Sequence, residues 1–190
     1  MKNRTISLGL VLLVAMTGVL LPPVVAQENS SSNPASLNTR VRSMIELGSV
    51  YTNIYDIAIT VPETVRGKEA MDRLQAATPD IKPPRDGFEY LLARVKFEFK
   101  GRYVSDTIPF DLGSDPLQWV ALASDLTEYP KVSVPAPNPA LAGRIKPGGS
   151  LEGWVAFAVS AKDSKPVMVF DPDTGGATGR GRTLFFKLYR

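Results

Sequence analysis

The chain of 190 residues contains no cysteine and no histidine. Without cysteine there is no disulfide, no thiol nucleophile, no iron–sulfur cluster and no cysteine-ligated zinc. Without histidine there is no Ser-His-Asp triad, no imidazole general base and no HExxH metalloprotease site. The rest of the composition, with 44% hydrophobic and 22% charged residues, is that of an ordinary globular protein. We therefore expect a folded domain with a restricted choice of chemistry.

The N-terminus has the pattern of an export signal. Lys2 and Arg4 form a basic head, and an apolar stretch, ISLGLVLLVAMTGVLL, occupies residues 6–21. Small residues follow this stretch, an order that is typical of a secretory signal peptide. We predict that residues 1–26 are a signal peptide and that the protein is secreted.

Cleavage is expected between Ala26 and Gln27, because small residues precede this bond. The alternative is an uncleaved membrane anchor. Sixteen apolar residues are short for a span of about 20, and Pro22-Pro23 breaks a helix. No cysteine is present to carry a lipid. Membrane contact is thus expected only if the signal remains attached.

Charge argues against a nucleic-acid partner. The whole chain has 22 basic and 19 acidic residues, and removing Lys2 and Arg4 with the signal leaves 20 against 19. A chain so close to neutral has no overall field that attracts nucleic acid or acidic membranes. Residues 27–38, QENSSSNPASLN, are predicted to form a flexible polar tether, and residues 39–190 a single domain.

The clearest strand signal lies in residues 89–100, EYLLARVKFEFK. One face carries apolar side chains, namely Leu91, Ala93, Val95, Phe97 and Phe99. The other face carries Arg94, Lys96, Glu98 and Lys100, with Leu92 as an isolated exposed leucine. Such alternation predicts a strand with one buried and one solvated face.

Further strands are predicted by shorter runs of the same kind. The clear ones are residues 54–61, 153–159, 167–170 and 183–189, and the weaker ones are residues 44–47, 108–112 and 119–122. One short helix is expected at about residues 65–77, with Thr64 as its N-cap and Thr78-Pro79 as its end. Lys146-Pro147-Gly148-Gly149 predicts a turn, and the proline-rich residues 116–147 predict an irregular crossover or edge. About seven or eight strands with clean alternation favour an all-β, antiparallel, two-layer sandwich of immunoglobulin-like type.

Three segments carry a resemblance to a known family. They are residues 86–92 (DGFEYLL), residues 147–157 (PGGSLEGWVAF) and residues 166–170 (PVMVF). In this order they resemble a bacterial exported domain-of-unknown-function family with an immunoglobulin-like, telokin-like sandwich. The insertion at residues 65–70 (VRGKEA) is similar to one found in a subset of that family, and the resemblance covers residues 43–189.

The resemblance implies an extracytoplasmic, non-enzymatic domain and supplies no catalytic residues. Many relatives carry a lipidated cysteine after the signal. This chain has none, so a freely released product is expected.

Carboxylates are the catalytic groups that the composition leaves available. Three pairs lie close in sequence: Asp111 with Asp115, Asp125 with Glu128, and Asp171 with Asp173. Glycoside hydrolysis needs two carboxyls at a fixed distance, one of them with a raised pKa. Proximity along polar loops does not supply this arrangement, so no catalytic residue is assigned.

The segment from Asp171 to Arg182 allows two further interpretations. Its start, DPDTG, resembles a calcium loop, but Arg182 stands where an EF-hand has its bidentate glutamate. An ordinary turn rich in Asp and Gly is favoured. The glycines of residues 175–181, with Arg180 and Arg182, could cradle an anion, against the alternative of a mobile hairpin loop. No metal and no cofactor are predicted.

Aromatic residues offer the remaining clue to ligand binding. Trp119, Tyr129 and Trp154 are candidate ligand-binding residues, together with Arg180 and Arg182, because exposed aromatics bind sugars or peptides. Tyr103 is a further aromatic in a predicted turn. The alternative is structural: Trp154 packs under the helix, and Trp119 caps one end of the sandwich.

The leading hypothesis is a secreted, immunoglobulin-like binding domain without catalysis, whose partner is an envelope or extracellular protein or glycan. A carboxylate-dependent polysaccharide hydrolase and a passive structural spacer of the envelope are the alternatives.

Overall fold

The computed structural model describes residues 28–48, 52–113, 118–130, 135–173 and 179–190. The predicted signal and its cleavage site at Ala26 and Gln27 lie outside the described residues. One helix, α1 (Lys68–Ala77), and ten strands are present in the described part. The strands are β1 (Val41–Leu47), β2 (Asn53–Arg66), β3 (Phe88–Gly101), β4 (Phe110–Leu112), β5 (Trp119–Leu122), β6 (Gly143–Ile145), β7 (Ser150–Ser160), β8 (Val167–Phe170), β9 (Gly179–Gly181) and β10 (Leu184–Lys187).

The strands form three antiparallel sheets. The largest has the order β7-β3-β2-β1-β9, the second has the order β10-β8-β5, and β4 pairs with β6. Every pairing between these strands is antiparallel. The all-β antiparallel sandwich predicted from the sequence is confirmed. The strand number is higher than the seven or eight expected, because the short strands β6 and β9 give no periodic signal.

One apolar core lies between the five-stranded sheet and the smaller sheets. The side chains predicted to face inward from β3 all do so, and Leu91, Val95 and Phe97 have no exposed surface. The ring of Phe97 lies 5.6 Å from that of Phe110 on β4 and 5.6 Å from that of Phe170 on β8. Phe97 therefore joins all three sheets through one set of ring contacts.

A second, smaller core lies on the outer face of the same sheet, under α1. Ala70 and Leu74 of the helix pack on Leu92 of β3 and on Trp154 of β7. The prediction that Leu92 is exposed is wrong, since the helix covers this end of the outer face and leaves Leu92 fully buried. The other end of the outer face is open and carries mostly charged side chains, with Met44 and Ile54 exposed among them.

The predicted start of the helix is also wrong. Thr64 belongs to β2, where it pairs with Ala93, and the helix begins after Gly67 without a capping side chain. Gly67 has φ of 64°, a conformation that a side chain disfavours, and this allows the chain to turn directly from strand to helix. The predicted end at Thr78 is confirmed, and its backbone N–H donates to the Leu74 carbonyl at 2.8 Å.

The described part of the predicted tether, residues 28–38, is attached to the domain rather than free. The Asn29 side chain donates to the Phe185 carbonyl at 2.7 Å and accepts from the Phe185 N–H at 2.9 Å. Ala35 donates to the Phe185 carbonyl, and its own carbonyl accepts from the Lys187 N–H at 2.8 Å. The composition suggested flexibility, but backbone hydrogen bonds at the edge of β10 hold this segment, and Ala35 and Leu37 pack against the main core.

Candidate functional site

The three aromatic residues predicted to bind a ligand are buried. Trp119 is 6% exposed and its ring lies 4.8 Å from that of Phe170. Trp154 is 8% exposed and lies in the core under α1, with the Arg73 guanidinium 5.0 Å from its ring centre. Tyr129 is 9% exposed. The structural alternative therefore describes these side chains better than ligand binding does.

Tyr129 forms a hydrogen bond that ties two loops together. Its hydroxyl donates to the Asp163 carboxylate at 2.7 Å, and that carboxylate also accepts from the backbone N–H groups of Ser124 and Lys165. Burial and the bond to Asp163 raise the pKa of Tyr129 to about 12. Burial alone would raise the pKa of Asp163, but these hydrogen bonds outweigh it and lower that pKa. The network is structural.

Replacing Tyr129 with phenylalanine should change how stability responds to alkaline pH. Between pH 10 and about 12 an unfolded tyrosine loses its proton while the folded Tyr129 keeps it, so stability falls as pH rises. We expect the stability advantage of the wild type over Tyr129→Phe to shrink by about 1.4 kcal/mol between pH 8 and pH 11. Urea denaturation of both proteins at the two pH values measures this difference. An unchanged difference would contradict the assignment, since lysine titration affects both proteins equally.

Arg180 and Arg182 do not converge on one anion site in the described part of the chain. Arg182 forms an ion pair with Glu28 and donates to the Asn29 carbonyl. Arg180 is exposed on β9, directly opposite Glu46 of β1. Residues 174–178 of the glycine-rich loop lie outside the described residues, so the anion-cradle interpretation stays a prediction.

The candidate carboxylate pairs are occupied by other partners. Asp111 forms a two-pronged ion pair with Arg144 at 2.9 and 3.1 Å, which holds its pKa below the usual range. Asp115 lies outside the described residues. Asp125 accepts from the Thr127 N–H, and that bond lowers its pKa. A general acid needs the opposite shift.

The segment that resembles the start of a calcium loop forms the turn that the sequence favours. Asp171 accepts from the Asp173 N–H at 3.0 Å, and Asp173 accepts from the Gly181 N–H at 3.0 Å. The first bond is that of a local Asp turn, and the second joins Asp173 to β9 eight residues further on. Over the described ranges, no group of three or more acidic side chains is placed to hold a metal ion.

The sequence did not predict a polar groove that lies on the uncovered end of the outer sheet face. Its volume is about 770 Å³. The groove is lined by residues of β1, β2 and β3, by Arg40 just before β1, and by the turn that leads into β7. The lining residues include Arg40, Arg42, Asp56, Ala58, Glu98, Lys100 and Gly148 to Ser150. The floor of the groove is the small side chain of Ala58, which lies between the longer side chains of Arg42 on β1 and Glu98 on β3. We call this feature the β1–β3 groove.

Two ion pairs involve the acidic side chains of the β1–β3 groove. Arg40 donates to Glu98 at 2.6 Å, and this hydrogen bond is the main reason that the pKa of Glu98 is lowered. Arg102 donates to Asp56 at 2.6 Å. These bonds fix both acidic side chains of the groove in place.

Two cations of the groove have no such partner. Arg42 and Lys100 are both exposed, and neither forms an ion pair or a side-chain hydrogen bond within the described residues. Arg42 is opposite Ala58, and Lys100 is opposite Asp56, so they stand on either side of β2. Strand spacing places their backbones about 12 Å apart on the same face. The groove thus presents two free positive charges.

The open face around the groove is positive as a whole. Its acidic side chains are Glu46, Asp56, Glu63, Glu98 and Glu152, and its basic side chains are Arg40, Arg42, Arg94, Lys96, Lys100, Arg102 and Arg180. Tyr103, at the end of β3 beside Arg102, is 74% exposed. Of the four aromatic residues considered from the sequence, namely Tyr103, Trp119, Tyr129 and Trp154, it alone is exposed.

Comparisons with known proteins give one distant structural likeness. No family model matches the chain, and no curated protein matches it. A crystal structure of a candidate lipoprotein from Bacillus subtilis is similar at a TM-score of 0.44 and 14% identity. The likeness covers 69% of this chain and 36% of that one, so the chain spans about a third of the length of its structural neighbour. Among the helices of the described residues, none is long and apolar enough to cross a membrane.

Proposed function

We propose that this protein is an exported binding domain without catalytic activity, of the immunoglobulin-like family that its sequence resembles, and that it binds its partner in the β1–β3 groove. The signal pattern of residues 1–26 supports export. The observation that carries the binding proposal is the pair of unpartnered cations, Arg42 and Lys100, over a groove of about 770 Å³.

Binding fits this groove better than hydrolysis does. Asp56 and Glu98 are its two carboxylates, and each accepts a hydrogen bond from an arginine. A hydrolase needs one carboxyl that keeps its proton near neutral pH. The arginine lowers the pKa of Glu98 instead, so the groove holds fixed charges rather than an acid and a base.

A double substitution tests the location of the binding surface. Arg42→Gln with Lys100→Gln removes both free charges, and we expect association with the envelope fraction of the exporting cells to weaken at least tenfold, as measured by cosedimentation. Lys162→Gln with Lys165→Gln is the matched control, because it removes two exposed charges from the turn between β7 and β8. That control should bind as the wild type does.

Both variants should keep the wild-type circular dichroism spectrum and melting temperature, since substitutions at exposed positions change stability little. Equal binding by the wild type and both variants would place the partner elsewhere. Absence of binding by the wild type would overturn the proposal.

A further inference from the structure

We infer that the β1–β3 groove binds an acidic polysaccharide, a sugar polymer with anionic groups along its chain. This inference rests on the proposed function and names its ligand class. The groove combines two kinds of contact that such a polymer uses together, separated cations and fixed hydrogen-bond acceptors. An exposed aromatic ring, Tyr103, lies just beyond the groove, next to the Arg102 that contacts Asp56.

The cations supply anchors for two anionic groups of one chain. Arg42 presents a planar fork that matches a carboxylate or sulfate, and Lys100 presents a point charge. They stand on two strands separated by β2. A polymer crossing the groove over Ala58 passes between them, so each cation meets a different anionic group of the chain.

The acceptors favour a sugar over a densely anionic surface. Asp56 uses one oxygen for Arg102, and Glu98 uses one oxygen for Arg40 while Lys96 lies 3.6 Å from the other. Carboxylates have further lone pairs that accept from hydroxyls. The hydroxyl of Ser150 lies on the same wall. A phospholipid surface has few donors and would be repelled by these carboxylates, whereas each sugar ring brings hydroxyls beside its charge.

No apolar side chain in the lining of the groove is exposed, which disfavours an acidic peptide, although Met44 and Ile54 lie beside the groove on the same face and are 52% and 40% exposed. Its apolar lining residues Ile57 and Phe99 are 2% and 1% exposed, because their side chains point into the core. Peptide interfaces draw most of their affinity from buried apolar and aromatic anchors. The one aromatic that is accessible here is Tyr103, at the end of β3 that adjoins the groove, and a flat exposed ring suits a sugar.

The test uses pairs of polymers that differ only in charge. Polygalacturonate is compared with its methyl ester, and dextran sulfate with dextran, by isothermal titration into the purified protein. We expect the acidic member of at least one pair to bind at least tenfold more tightly than its neutral partner. The Arg42→Gln, Lys100→Gln variant should lose at least tenfold of that affinity, and Lys162→Gln, Lys165→Gln should stay within twofold of the wild type. Tyr103→Ala should lower the affinity for the acidic polysaccharide several-fold.

Three other probes separate the possible failures. They are polyglutamate, phosphatidylglycerol vesicles and a single-stranded oligothymidylate. Tighter binding of any of these than of the acidic polysaccharides, lost in the Arg42→Gln, Lys100→Gln variant, would overturn the polysaccharide inference but keep the groove as a binding surface. If the neutral polymers bind as tightly as the acidic ones and lose affinity in the Arg42→Gln, Lys100→Gln variant, the acidic-polysaccharide inference is likewise overturned and the groove remains a binding surface. If no probe binds the groove while envelope association still depends on it, the ligand class is wrong and the proposed function stands.

Discussion

Replacing Phe97 with alanine should lower the free energy of unfolding by about 3–5 kcal/mol. Phe97 has no exposed surface and its ring contacts Phe110 and Phe170, which lie on the two smaller sheets. Truncation removes the transfer free energy of the ring and leaves a cavity where the three sheets meet. Urea denaturation monitored by tryptophan fluorescence measures the loss, with an unchanged m value showing that two-state unfolding persists.

Tyr103→Ala is the matched control for this experiment. It also removes an aromatic ring near the end of β3, but from a side chain that is 74% exposed. We expect it to change the free energy of unfolding by no more than about 0.5 kcal/mol. Similar losses in both variants would mean that the inward face of β3 is not the centre of the core.

Gly153→Val should destabilise the fold by about 3 kcal/mol or more. A Cβ atom at Gly153 would lie 2.5 Å from the carbonyl carbon of Ala140 and 2.6 Å from the backbone nitrogen of Leu141. This close approach exists because residues 139–141 run along the edge of β7. There the Trp154 N–H donates to the Pro139 carbonyl, and the Leu141 N–H donates to the Trp154 carbonyl. A side chain at this glycine would push that segment off the strand.

Ser150→Val introduces the same side chain at an exposed position of the same strand. It should leave the midpoint of urea denaturation nearly unchanged, whereas Gly153→Val should shift it clearly to lower urea. A wild-type midpoint for Gly153→Val would show that residues 139–141 do not cover the edge of β7.

The strand pattern of this protein follows from the sequence because apolar and polar side chains alternate along much of β2 and β3. Residues 89–100 and 54–61 show this alternation, and they lie within β3 and β2 as predicted. The turn at residues 146–149 also follows from its Pro-Gly-Gly sequence, and the Gly149 N–H donates to the Lys146 carbonyl at 2.9 Å. Such features depend on neighbouring residues alone, which a sequence displays directly.

The errors arise where a distant segment covers a residue. Leu92 is on the polar side of β3 by parity, yet α1 covers it, and its burial depends on where a helix inserted after β2 comes to rest. Trp154 is buried for the same reason, as the structural alternative to ligand binding predicts. Residues 28–38 look like a tether by composition, but their backbone pairs with β10 at the opposite end of the chain. None of these contacts leaves a local signal.

The β1–β3 groove was missed for a related reason. The charged side of β3 was correctly predicted to be solvated, and Lys100 belongs to it. The groove, however, depends on Arg42 of β1 lying opposite Ala58 of β2, a register that the sequence of either strand does not encode alone. An alanine between two charged strands is the only clue, and it becomes visible once the strand order is known.

The most direct test of the account is to map where an acidic sugar binds. Titrating trigalacturonate into the ¹⁵N-labelled protein should shift backbone amide signals in residues 40–43, 56–58, 98–103 and 148–150, which line or adjoin the β1–β3 groove. The signals of residues 162–165, in the turn between β7 and β8, should stay in place. Shifts concentrated instead at Arg180 and Arg182, or around the apolar cleft formed by Pro84, Phe88 and Pro130, would contradict the claim that the groove is the binding surface.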